Sequence, residues 1–203
     1  VARRLGLGEP TGIELANEKS GLVPSREWKR RNRNASWQKG ETVLASIGQG
    51  FNLVTPIQLA VAYAAIANGG ERVVPRLVDR LETWDGRVIR RIPSRVDGIA
   101  GFDPEQIGVL TDALVQAVQG PTGTGARARV PGVQVAGKTG TTQVVSLDAV
   151  EKFAAGEIPM RLRDHALFVA FAPAEAPEIV VAVVVEHGES GGRTAAPIAR
   201  AVL

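Results

Sequence analysis

Lys138, Thr139 and Thr141 are the residues of this sequence whose types and spacing could do chemistry. They sit inside a β-branched run over residues 133–145, Val-Gln-Val-Ala-Gly-Lys-Thr-Gly-Thr-Thr-Gln-Val-Val. Gly137 and Gly140 bracket the Lys138-Thr139 pair. Strand interiors rarely carry glycine without a packing or chemical reason, because glycine loses the most backbone entropy and offers no side chain to pack. Such a strand suits a ligand that must approach the backbone closely, with a cation and hydroxyls to hold it. The plainer alternative is a solvated edge strand with two bulges.

Two motifs compete for this stretch. Residues 132–139 match the nucleotide-binding phosphate loop: Gly132, four residues, then Gly137-Lys138-Thr139. A phosphate loop cradles its anion between a strand and a helix N-terminus, so the four intervening residues should be loop. Here Val133, Gln134, Val135 and Ala136 read as strand, and residues 140–145 continue with Thr, Gln and Val and no helix. The pattern matches and its context fails. The other motif is the Lys-Thr-Gly that penicillin-recognising serine enzymes carry on a strand. Context favours it.

At 203 residues, 44% apolar and 22% charged, the chain can bury a sizeable core as one domain. Its longest strongly apolar run, residues 179–185, is far too short to span a membrane. No signal peptide is visible, and Val1-Ala2-Arg3-Arg4-Leu5 reads as the end of an element already in progress. The chain is therefore expected to be part of a longer protein. Zero cysteines excludes disulfides and thiolate chemistry. His165 and His187 have no metal-ligand pattern around them. A formal charge of +3 favours anionic partners only weakly. Lys29-Arg30-Arg31 and Arg33, flanked by Trp28 and Trp37, offer a basic patch. A solvated basic loop is the expectation there, with no nucleic-acid partner.

The elements that must position the strand follow from local signals. Turn residues crowd residues 1–40, which predicts a poorly regular layer with short helical pieces. Ser36-Trp37-Gln38-Lys39 has the Ser-x-x-Lys spacing in which a lysine activates a serine nucleophile. Its surroundings are polar and Gly40 is expected to stop a helix at once, which argues against that role. Residues 55–67 form the clearest helix, with Thr55 as cap, Pro56 in the first turn and Gln58 completing a capping box. Before it, residues 46–50 (Ser-Ile-Gly-Gln-Gly) are expected to let two backbones come close.

Residues 73–92 alternate well enough for a hairpin turning at Asp85-Gly86. Residues 103–119 form a second capped helix whose buried stripe is Ile107, Leu110, Leu114 and Val118. Residues 120–125 read as a tight connection into the key strand. Residues 165–171 and 179–185 make a short antiparallel pair, apolar on both faces and so expected to be covered on both. Residues 194–203 form a terminal helix, and residues 148–164 a surface excursion. The fold class is α/β of the α+β type, an antiparallel sheet covered by helices on both faces. Three parts are expected: residues 1–70 with loops and helices, 71–132 with hairpin and helix, and 133–203 with strands and terminal helix.

Lys138-Thr139-Gly140-Thr141, preceded by Gly132 to Gly137 as read above, resembles the third motif of penicillin-binding transpeptidases. Ala45-Ser46-Ile47-Gly48-Gln49-Gly50 leading into Val54-Thr55-Pro56-Ile57-Gln58 resembles their class B members, as does Gly120-Pro121. Leu162-Arg163-Asp164-His165 followed by Phe171-Ala172-Pro173 resembles the subgroup serving cell elongation and rod shape. The resemblance runs through essentially the whole chain. It implies a penicillin-binding/β-lactamase-like fold and a peptidoglycan D,D-transpeptidase, in which a serine attacks the penultimate D-alanine carbonyl of a stem peptide. The terminal D-alanine leaves, and a neighbouring amine takes the acyl group. Penicillin acylates the same serine.

By motif match, Lys138, Thr139, Gly140 and Thr141 would form the substrate-binding segment. Lys138 would place positive charge near the substrate carboxylate and help hold a serine of the second motif. The Thr139 and Thr141 hydroxyls would bind that carboxylate, and the Thr141 backbone N–H would be one oxyanion donor. Alternation puts both threonines on one face and Lys138 on the other, so one ligand meets all three only at a twisted or edge strand.

The family's Ser-x-x-Lys nucleophile pair and its Ser-x-Asn have no credible match here. The chain is therefore expected to be the C-terminal part of a transpeptidase domain, incomplete on its N-terminal side and inactive alone. The resemblance also implies β-lactams and stem peptides as ligands, and glycosyltransferase and elongation-complex proteins as partners. It implies no cofactor and no metal. An N-terminal anchor would hold the parent in the bacterial inner membrane, with the domain facing the periplasm or cell exterior. The alternative is a homologue that only binds or scaffolds in cell-wall synthesis.

Overall fold

The computed structural model describes residues 1–145, 153 and 158–203, which divide into two compact units. Of the surface excursion expected over residues 148–164, only 153 and 158–164 are described, with a 3₁₀ turn at Met160–Leu162. The remainder of that expectation lies outside the described residues.

The first unit comprises Val1–Ala65 and Gly70–Gly101. Its opening stretch is irregular, as the turn residues predict, with a 3₁₀ turn at Ala2–Leu5 and helix α1 at Arg26–Arg33. Ser25 starts α1 by accepting the Trp28 N–H. Helix α2, Lys39–Ser46, runs straight through Gly40, against the expectation that this glycine stops it. A helical glycine costs only about 1 kcal/mol, and here the Glu41 carboxylate closes the start by accepting the Gln38 N–H at 2.6 Å. Lys29 is buried, donates to Ser36 O at 2.8 Å and pairs with Glu41. The buried cation of the basic patch thus joins α1 to α2.

Residues 46–50 also differ from expectation. Gly48 and Gly50 have φ of 80° and 73°, and a side chain at Gly48 would meet nothing within 4 Å. Left-handed backbone, and not close approach of two chains, is what requires glycine there.

Helix α3, Pro56–Ala67, begins with the predicted box: Gln58 N–H donates to Thr55 Oγ1 and Thr55 N–H to Gln58 Oε1. Gln58 is almost wholly buried, and its amide nitrogen donates to Glu9 O at 2.7 Å and Ser20 O at 2.8 Å. One side chain therefore caps the helix and holds two loops. On the same helix, burial pushes the Tyr63 phenol up to about 12. Tyr63 is the sole tyrosine, so an alkaline absorbance titration reads it alone. The expected midpoint lies near 12 in the folded chain and near 10 in urea. Because the unfolded phenol ionises first, stability is complete below pH 10 and falls as pH rises through that interval. A folded-state midpoint near 10 would mean the phenol is solvated.

Strand β1, Glu71–Val73, pairs antiparallel with β4, Val96–Ile99. Between them β2, Arg80–Glu82, and β3, Val88–Arg91, form the expected hairpin, with the Gly86 N–H on Thr83 O. The hairpin is shorter than predicted because Val73 takes Val96 as its partner. Arg4 ties the beginning of this unit to its end, donating to Ala100 O at 2.5 Å and to Gly101 O.

The second unit comprises Ile66–Gly69 and Phe102–Leu203. Helix α4, Pro104–Gln119, has the predicted Asp103/Gln106 capping box. Leu114 and Val118 of its stripe are buried, Ile107 is half-buried and Leu110 exposed, so only the C-terminal half reaches the core. Strands β5 (Ala136–Thr142), β6 (His165–Ala172) and β7 (Ile179–Val185) form an antiparallel sheet in that order. A π turn at Gly191–Ala195 leads into helix α5, Ala196–Val202.

The key strand is shorter than residues 133–145. Val133 instead closes a turn onto Val130 around Gly132, whose φ is 77°. Ala166, Phe168, Ala170 and Ala172 alternate onto one face of β6 and pack with Val118, Ala195, Ala196 and Ala199. Val169 and Phe171 point to the opposite face and are buried too. Strand β6 is thus covered on both sides, as its composition predicts. Strand β7 is not: Ile179 and Val184 are each 38% exposed, because β7 is the outer strand of the sheet described here.

Candidate active site

Strand β5 occupies the other edge of the sheet and pairs only with β6 among the described residues. Its register sets Lys138 opposite Val169, Thr139 opposite Phe168 and Thr141 opposite Ala166. Thr139 and Thr141 therefore share the face of Phe168 and the small alanines, and Lys138 stands on the face of Val169. At an edge a lysine can bend round, and it does: Lys138 Nζ donates to Thr139 O at 3.0 Å and reaches Thr139 Oγ1 at 3.3 Å. Residues two apart send their backbone groups to the same side of a strand. The Thr141 N–H accordingly shares the side on which Thr139 O meets the ammonium. One exposed strand edge thus carries a cation, two hydroxyls and a backbone donor.

The glycines explain how the strand is seated. A Cβ at Gly137 would lie 2.7 Å from Ala170 Cβ and 2.9 Å from the Phe168 ring. The strand lies this close to β6 because nothing projects from position 137. On the far side, Gly191 and Gly192 of the π turn press on the strand: a Cβ at 192 would meet Thr124 O at 2.4 Å and Thr139 Cγ2 at 3.6 Å.

The connection over residues 120–125 is tight, as expected, with Gly123 N–H on Gly120 O and Gly125 N–H on Ala117 O. It also does something the sequence did not announce. Thr124 Oγ1 lies 3.0 Å from Thr139 Oγ1. Hydroxyls 15 residues apart across a glycine-rich turn leave no periodic signal.

The histidines were likewise missed as a pair. At the Thr142 end of the ladder, His187 N–H donates to His165 Nδ1 at 2.9 Å, and the two rings lie 4.9 Å apart. That nitrogen of His165 must carry a lone pair. His187 Nδ1 lies 3.1 Å from Arg163 O, so the pair fastens the segment leading to Gly191.

Two weaker sequence candidates fall. Ser36 lies before α2, with its carbonyl on Lys29, while Lys39 is the first residue of the helix. The two are not one helical turn apart. The phosphate-loop reading needs a helix beginning at Lys138, and residues 136–142 are extended instead.

The whole chain, residues 1–203, matches the family model of the penicillin binding protein transpeptidase domain. The chain belongs to this family. Among curated relatives it is 41% identical over 200 residues to the peptidoglycan D,D-transpeptidase MrdA of Acinetobacter baumannii, covering 98% of this chain and 29% of that protein. Among solved structures it resembles Pseudomonas aeruginosa PBP2 in complex with WCK 5153, with a TM-score of 0.77 and 38% identity, covering 99% of this chain and 40% of that one. It also resembles Helicobacter pylori PBP2 in complex with MreC, with a TM-score of 0.77 and 28% identity over 98% of this chain and 33% of the other. The chain thus spans less than a third of the MrdA protein it matches.

Proposed function

We propose that the protein of which this chain forms part is a serine-type peptidoglycan D,D-transpeptidase of the cell-elongation kind. A serine outside these residues attacks the penultimate D-alanine carbonyl, and D-alanine leaves with a proton. The acyl group then passes from the serine ester to an amine of a neighbouring stem peptide, forming the amide while an amine proton restores the serine hydroxyl. The observation that carries the reading is the Lys138 ammonium folded back onto Thr139 at a sheet edge. Only an edge lets an extended peptide lie along the strand while its terminal carboxylate meets Lys138, Thr139 and Thr141. Gly140, where a Cβ would press on Leu167 Cβ at 3.1 Å, seats this part of the strand on β6, and the Thr141 N–H polarises the reacting carbonyl.

Elongation-complex partners follow in the same reading, supported by the MreC complex of the Helicobacter pylori relative. So does residence at the inner membrane with the domain outside the cytoplasm. No helix among the described residues is long and apolar enough to cross a membrane, so an anchor would be supplied by other residues of the parent.

Intact-mass measurement after incubation with penicillin tests the reading. The full-length protein is expected to gain one penicilloyl adduct, and the 203-residue chain none. Stoichiometric acylation of the chain alone at Ser36 or Ser46 would overturn the assignment of the nucleophile to other residues. A full-length protein that stays unmodified would favour a binding or scaffolding homologue.

A further inference from the structure

We infer that Thr124 is a positioning residue for Thr139, donating its hydroxyl hydrogen to Thr139 Oγ1 and so freeing the Thr139 hydrogen to meet an anionic ligand. The inference rests on the reading of β5 as the carboxylate-binding strand. A threonine hydroxyl has two acceptor lone pairs and one hydrogen, whereas an ammonium only donates. Lys138 Nζ at 3.3 Å therefore fills one lone pair of Thr139 Oγ1. Thr124 Oγ1 at 3.0 Å can take the Thr139 hydrogen or fill the second lone pair. In the first arrangement Thr139 has nothing left to donate. In the second its hydrogen must point away from both partners and is left for a third. A carboxylate only accepts, so its arrival selects the second arrangement and orders a chain from Thr124 through Thr139 to the ligand, each bond polarising the next.

The loop that carries Thr124 is built to hold it there. A Cβ at Gly123 would meet Ala117 O at 2.7 Å, and one at Gly125 the Phe168 ring at 2.9 Å. The two neighbours of Thr124 are thus pressed onto the end of α4 and the core. Gly192 lies against its carbonyl. With the backbone fixed from three sides, the Thr124 hydroxyl lies within hydrogen-bond distance of Thr139 without ordering a flexible loop.

The test measures the second-order rate constant for penicillin acylation of the full-length protein, with melting curves alongside. Thr124→Val is expected to slow acylation about three- to ten-fold, the value of one neutral hydrogen bond. Thr124→Ser is expected to stay within about two-fold of the parent, since it keeps the hydroxyl. In a Thr139→Val background, Thr124→Val is expected to cost nothing further, because the group it orients has gone. An equal penalty in both backgrounds would show that Thr124 acts by packing the loop, and would overturn this inference alone. So would a Thr124→Val rate equal to the parent's. No acylation of the parent would overturn the transpeptidase reading and this inference with it.

Discussion

Lys138→Ala, Thr139→Val and Thr141→Val are each expected to slow penicillin acylation of the full-length protein by about ten- to hundred-fold, with folding nearly unchanged. Valine keeps the β-branched shape that suits a strand and removes only the hydroxyl. A hydrogen bond to a charged group contributes about 1.5–3 kcal/mol, which is that range of rate when the contact is complete in the transition state. Lys138→Ala should cost at least as much, because in the proposed reading the ammonium would meet the ligand carboxylate besides holding Thr139. Stopped-flow acylation, with thermal melting as control, separates this from an edge strand without chemistry, for which all three rates would change less than about two-fold. The Thr141 backbone N–H survives in the valine variant, so that variant reports on the hydroxyl alone.

A larger effect on the fold is expected from Gly191→Ala. The added methyl would sit 2.2 Å from Leu167 O, 2.6 Å from Gly140 O and 3.1 Å from Gly140 N. These are backbone atoms of paired residues in the β5–β6 ladder, which cannot swing aside as a side chain can. Either the π turn lifts away or the ladder yields between Thr139 and Thr141. We expect destabilisation of about 3 kcal/mol or more, at the high end for overpacking, together with loss of acylation. Gly108→Ala is the control: it lies within α4, meets nothing within 4 Å, and should stabilise by up to about 1 kcal/mol. Urea denaturation of both variants checks the pair, and a Gly191→Ala protein as stable as its parent would contradict the close seating of the turn.

The two long helices, the β6–β7 pair and the Lys-Thr-Gly strand were legible because their signals are local. Asp103 with Gln106 and Thr55 with Gln58 announce helix starts within four residues, and β6 is apolar on both faces. The β1–β4 pairing was not legible, since Val73 alternates as well with the hairpin as with Val96, and only tertiary context decides. Gly40 and Gly48 misled for opposite reasons. A capped helix tolerated the first, and the second served left-handed backbone where a close contact was expected. The candidate site was half readable. Residue types named Lys138, Thr139 and Thr141, while Thr124 and the histidine pair depend on register and turns that no periodicity encodes.

The Arg4 clasp on the carbonyl of Ala100 joins residues 96 positions apart in the chain. A polypeptide made N-terminus first, at roughly 5–20 residues per second, has its second half of that clasp about 5–20 seconds after its first. Through that interval the opening 3₁₀ turn and the glycine-rich loops after it cannot be locked by this contact. The helical pieces between them can form as they emerge, because their caps are local. This clasp is therefore late to close, and its timing is set by the rate at which chain arrives and not by the microseconds of the helices between its ends.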